Sequence, residues 1–121
     1  MSEGLGFGQV VIDCENALRL GEFWSALVGR PVDPGASEFY AFVPASSDRS
    51  FPALMFLQVP EPRSGKNRWH LDFFSHDPAG QVDRALELGA EKRGDFDEYG
   101  VKWTTLADPE GNLFDIGAAH D

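Results

Sequence analysis

The stretch "NRWHLDFF", residues 67–74, places His70 and Asp72 two positions apart. In a β-strand, residues two apart share a face, so an imidazole and a carboxylate stand side by side there. Trp69, Leu71 and Phe73 form an apolar stripe on the other side. Imidazole and carboxylate both exchange protons and both offer lone pairs. A face that carries them either meets water or lines a cavity that uses them.

A second stretch has the same form. "FGQVVIDCEN", residues 7–16, alternates Val10 and Ile12 against Gln9, Val11 and Asp13. Each strand ends in an N-capping residue, Asn16 and Asp77, and a helix-patterned segment follows. In the first helix Leu20, Phe23, Trp24, Leu27 and Val28 make one apolar stripe. The second opens with Pro78 at its first position and carries Val82, Ala85 and Leu86 on one face. Both stop at a glycine suited to a left-handed cap, Gly29 and Gly89. The matching positions lie about 60 residues apart, so the chain contains an internal repeat.

Further strand-like runs follow in each half: 38–43 and 52–59 in the first, 101–107 and 112–117 in the second, the last two joined by the turn "DPEG". The polar stretch 60–68 links the halves. The expected fold is α+β: two paired βαβββ modules in one domain spanning 1–121, module one about 5–60 and module two about 66–118. Half-sized modules bury too little alone, so the paired sheets should curl into a mixed-sheet cup with helices on the outer face. Val10, Ile12, Trp69, Leu71 and Phe73 then face the helices, and Gln9, Val11, Asp13, His70 and Asp72 face the cup.

Composition narrows the function classes. The 121 residues suit one domain, and 42% hydrophobic content with 12% aromatics is that of a globular chain. No apolar run reaches the length of a membrane span, and "MSEGLGFG" has no signal-peptide pattern. The single cysteine, Cys14, allows no internal disulfide and reads as a buried structural thiol. A cytoplasmic protein is expected. With 10 basic and 20 acidic residues the net charge is −10, which disfavours nucleic acid and anionic membranes as partners and leaves a small-molecule ligand.

With "QVVIDCEN" and "LGEFWSALVGRPV" near the start, "KNRWHLDFF" in the middle and "ADPEGNLFDIG" at the end, the chain resembles the vicinal oxygen chelate superfamily. That group comprises glyoxalase I, bleomycin-resistance proteins and extradiol dioxygenases, and the likeness is nearest to actinobacterial glyoxalase-like domains. The resemblance covers roughly residues 7–117. It implies metal ligands at Gln9, His70 and Asp115, and a homodimer. Strand parity independently turns Asp115 toward the cup, since Phe114 and Ile116 suit the helix side. Gln, His and Asp would hold a divalent ion such as Zn, Ni, Mn or Co. The glutamate that glyoxalase I carries on the last strand of its first module has no counterpart, because "PALMFLQV" offers only Gln58. Asp72 is then the expected catalytic base, with Asp13 and Gln58 expected at the substrate. Dioxygenase chemistry, which uses two histidines and a carboxylate, is not expected: His76 lies at a helix entrance and His120 in the C-terminal tail.

The resulting expectation is a glyoxalase/bleomycin-resistance-type protein: a divalent-metal-dependent lyase or isomerase acting on a vicinal-oxygen substrate. The alternative is a metal-free cup that binds or sequesters an antibiotic without turnover. In that case His70 is a hydrogen-bonding partner of Asp72 or Gln9 and Asp115 bonds a backbone amide. Arg63, Lys66 and Arg68 either pair with the acidic run 95–98, remain solvated, or meet an anionic substrate.

Overall fold

The computed structural model describes residues 4–5, 7–48 and 50–119. His120 and part of the N-terminal stretch lie outside the described residues. The elements run β1 (Gln9–Cys14), α1 (Ala17–Val28), β2 (Tyr40–Val43), β3 (Ala53–Gln58), β4 (Leu71–Ser75), α2 (Pro78–Leu88), β5 (Glu91–Glu98), β6 (Val101–Ala107) and β7 (Leu113–Ala118). This is the expected α+β plan. The chain divides into two compact units, one ending at Pro62 and the other beginning at Arg63, inside the polar linking stretch.

In the first unit the strand order is β1-β3-β2, with β1 parallel to β3 and β2 antiparallel to it. Asn16 caps α1 by accepting a hydrogen bond from the Arg19 amide, and Gly29 ends the helix at φ 71°. Leu20, Phe23, Trp24 and Leu27 are buried, as their spacing predicts. Gly21 permits close packing on the sheet: a Cβ there would stand 2.9 Å from the Ala41 Cβ. Leu54 and Phe56 of β3 and Val43 of β2 complete the core. Cys14 is buried and in no disulfide, its thiol directed at the Leu57 carbonyl oxygen at 3.5 Å.

The second unit repeats this arrangement with one more strand, in the order β4-β7-β6-β5, and β4 again runs parallel to the last strand, β7. Asp77 caps α2 by accepting from the Gly80 amide, Pro78 is at the first turn, and Gly89 closes the helix. Val82 and Ala85 are buried with Phe114, Ile116 and Leu106, while Leu86 is partly exposed. The Phe73 ring meets Phe114 edge-on at 6.1 Å.

The three strands of the first unit fall on the three strand-like runs of that half. Two features depart from the sequence reading. Strand β5 occupies "EKRGDFDE", whose last four residues read as an acidic run rather than a strand. Trp69 is 91% exposed, because β4 begins two residues later, at Leu71, and the alternation does not extend back to it. No helix among the described residues is long and apolar enough to cross a membrane.

Candidate functional site

The exposed face of the second sheet is built in rows across its strands. Asp72 of β4 lies in register with Asp115 of β7, and Asp115 lies in register with Thr105 of β6. Parallel in-register residues project to the same side, so two carboxylates stand next to each other. Like charges so placed repel unless a proton donor or a cation stands between them.

His70 stands beside both carboxylates. Its Nδ1 lies 2.9 Å from Asp72 Oδ1 and 3.7 Å from Asp115 Oδ2. Thr105 donates its hydroxyl to Asp115 Oδ1 at 2.6 Å, which fixes that carboxylate and leaves its second oxygen facing the imidazole. One ligand atom from each of His70, Asp72 and Asp115 falls within 4.8 Å of the others. The side chains of His70 and Asp72 are 42% and 56% exposed and that of Asp115 20%, so the cluster is open to solvent on one side.

Two loops position the cluster. Asn67 accepts from the Leu113 amide at 2.8 Å and donates to the Leu113 carbonyl oxygen at 3.2 Å. Its side-chain amide thus imitates a strand residue beside β7 and fastens the approach to His70. Asn67 also donates to the Trp69 carbonyl oxygen, and Arg63 donates to Gly65 O and Asn67 Oδ1, so Arg63 is committed to its own loop. On the other side, Asp108 is buried and accepts from the Glu110 and Asn112 amides, both at 2.9 Å, and from the Asn112 side chain. This closes the "DPEGN" turn and sets the β6–β7 register that brings Thr105 to Asp115.

The other expected site residues are in the first unit. Gln9 and Asp13 are exposed on β1, on the same strand face as Val11. Gln58, at the end of β3, donates its side-chain amide to the Glu15 carbonyl oxygen at 3.0 Å. Asp95 of the acidic run pairs with Lys92 and accepts from Thr104 at 2.7 Å, rather than with the basic trio. These bonds, Lys92 first, hold the exposed Asp95 carboxyl below the usual carboxylate range. Sequence reasoning missed Thr105 and Asn67. Counting back from the "DPEG" turn would have placed Thr105 opposite Asp115.

A family model described as the glyoxalase-like domain matches residues 9–117. No curated protein matches at a significant level. Solved structures share the fold. One is a glyoxalase/bleomycin resistance protein/dioxygenase family enzyme from Burkholderia phytofirmans (18% identity, TM-score 0.75), matched over 93% of this chain and 98% of that one. Another is the fosfomycin resistance protein FosX from Listeria monocytogenes (12% identity, TM-score 0.74), matched over 96% of this chain and 94% of that one. A lactoylglutathione lyase from Agrobacterium tumefaciens (15% identity, TM-score 0.67) matches over 98% of this chain and 96% of its own.

Proposed function

The chain belongs to the glyoxalase-like domain family, and from that premise we propose that it is a divalent-metal-dependent lyase or isomerase acting on a small molecule with vicinal oxygens. The observation that carries the reading is the in-register pair Asp72–Asp115 with the His70 Nδ1 facing both. His70 and Asp115 offer a nitrogen and an anionic oxygen, donors suited to Zn, Ni, Mn or Co, and the open side leaves room for a substrate. His70 and Asp115 are the proposed ligands. A divalent ion held there supplies Lewis acidity to the substrate oxygens.

Each side chain then has a task. Thr105 holds Asp115 in place through its 2.6 Å hydrogen bond. Asp72, the most exposed of the three, is the proposed base, placed to accept a proton from a carbon beside the substrate's vicinal oxygens. Asn67 fixes the segment that presents His70. The full proposal is a cytoplasmic homodimer in which residues 1–121 act as one domain.

Metal analysis by inductively coupled plasma mass spectrometry, after refilling apo protein with each of the four ions, tests this. Near-stoichiometric metal in the wild type and its loss in His70→Ala is the expected result. Asp72→Asn separates base from ligand: a base variant keeps its metal and loses turnover. Gln9→Ala in the same panel asks whether the first unit contributes a ligand, and Asp13→Ala and Gln58→Ala ask the same of substrate affinity.

One observation favours a second reading. His70 is already paired with Asp72 at 2.9 Å, a contact that needs no metal. If no ion binds after any refill, the protein is a ligand-binding or antibiotic-sequestering member of the family.

A further inference from the structure

Beside the acidic row of the second sheet lies an aromatic one. Phe74 of β4 is in register with Gly117 of β7, Gly117 with Trp103 of β6, and Trp103 with Phe96 of β5. These residues are two positions along from Asp72, Asp115 and Thr105, so they share the same face about 7 Å away. Gly117 leaves a notch between two rings. A Cβ there would stand 3.2 Å from the Lys102 carbonyl oxygen and 3.6 Å from the Trp103 Cβ. The flanking strands are about 10 Å apart, room for one flat ring above the glycine.

The Trp103 wall is held in place. Phe96 stacks on it with centroids 5.3 Å apart and an interplanar angle of 17°. On the other side Phe74 is 67% exposed. A cleft of about 300 Å³ runs over this row and reaches the acidic one, with Phe74, Trp103, Gly117, Asp72 and Asp115 all on its walls. Tyr99 is at its rim, on the β5–β6 hairpin, with φ 55°, a conformation bulky residues rarely adopt. The cleft therefore joins a polar end able to hold oxygens to an apolar slot able to hold a ring.

We propose that this cleft selects a substrate in which a planar aromatic ring adjoins the carbons bearing the vicinal oxygens, the ring lying over Gly117 between Phe74 and Trp103. The proposal deepens, and rests on, the reading of the acidic row as the reacting end. Aliphatic vicinal-oxygen compounds reach the carboxylate end but leave the slot filled with water. Phe74 and Trp103 are specificity-determining residues, since they touch the substrate away from the reacting atoms.

The test compares two neutral probes, mandelamide and lactamide, which carry the same hydroxyl and carbonyl oxygens and differ in the ring. Affinities are measured by isothermal titration calorimetry on metal-loaded and metal-free protein. About tenfold tighter binding of mandelamide by the wild type is expected, with the preference lost in Phe74→Ala and in Gly117→Leu. Phe74 is exposed, so its variant remains informative if Gly117→Leu fails to fold. Equal affinity for both probes in both forms of the protein overturns the slot, as does a preference that survives both substitutions. A ring preference in protein that never loads metal upholds the slot and removes only the metal reading.

Discussion

In the first unit, Val11 of β1 faces Met55 of β3, and Phe42 of β2 completes the row. The equivalent places in the second unit hold Asp72, Asp115 and Thr105. One row along, Asp13, Leu57 and Tyr40 stand where the second unit has Phe74, Gly117 and Trp103. Gln9 occupies the place of His70 in the repeat. Strand order, helix caps and the parallel pairing of first with last strand are common to both. The backbone plan thus dictates which positions project together, and the side chains alone decide whether a row can hold a cation. The first unit's last strand has no acid because its matching position is Met55, and the acids are gathered in the second unit.

The comparison predicts equal costs in the core and unequal ones on the exposed face. Phe56→Ala and Phe114→Ala, both at fully buried rings, should each cost about 3–5 kcal/mol in denaturant unfolding; a large asymmetry would mean that the halves do not share one packing logic. On the face, Asp115→Ala should weaken metal binding at least about 100-fold in a chelator competition, while Met55→Ala at the equivalent place leaves it unchanged. A loss in Met55→Ala as well would break the contrast. The caps should again match, Asn16→Ala and Asp77→Ala each lowering stability by about 1 kcal/mol.

The smallest effect concerns Asp48, in the loop between β2 and β3. Hydrogen bonds from the Ser50 amide, the Ser50 hydroxyl and the Ser46 hydroxyl lower its pKa from 3.8 to about 2. A depressed folded value means that the loop's contribution is present above 3.8 and is lost as pH falls toward 2. A carboxyl carbon shift followed by NMR should titrate near 2, and near 3.8 if the loop is not formed.

Much of this was legible in the sequence. Both helices, their caps and the strands around the site follow from periodicity and from Asn16, Asp77, Gly29 and Gly89. Strand β5 was hidden because it is an edge strand, and edges carry charge that masks any alternation. Trp69 misled because Asn67 replaces a strand residue with its side chain, which no pattern of period two reveals. His70 and Asp72 came from the alternation of residues 67–74, Asp115 from family resemblance backed by strand parity, and the ligand roles of His70 and Asp115 from the resemblance alone. Their meeting depends on the β4–β7 register, a pairing across much of a module that local pattern does not encode. The polarity of the first unit's face was readable residue by residue, but its significance required the matching rows.

The pairing of each unit's first strand with its last has a kinetic consequence. Gln9 waits for Ala53, and Leu71 waits for Phe114. The antiparallel pairs β2–β3, β5–β6 and β6–β7 join consecutive strands, but β1 and β4 can be added only by closing a long loop, which slows completion of each sheet. During synthesis the earlier sheet is complete once Gln58 has left the ribosome, while residues of the later one are still being added. A nascent chain stalled before Leu113 would expose β6 without the neighbour that covers it, making that interval the one most open to misassociation.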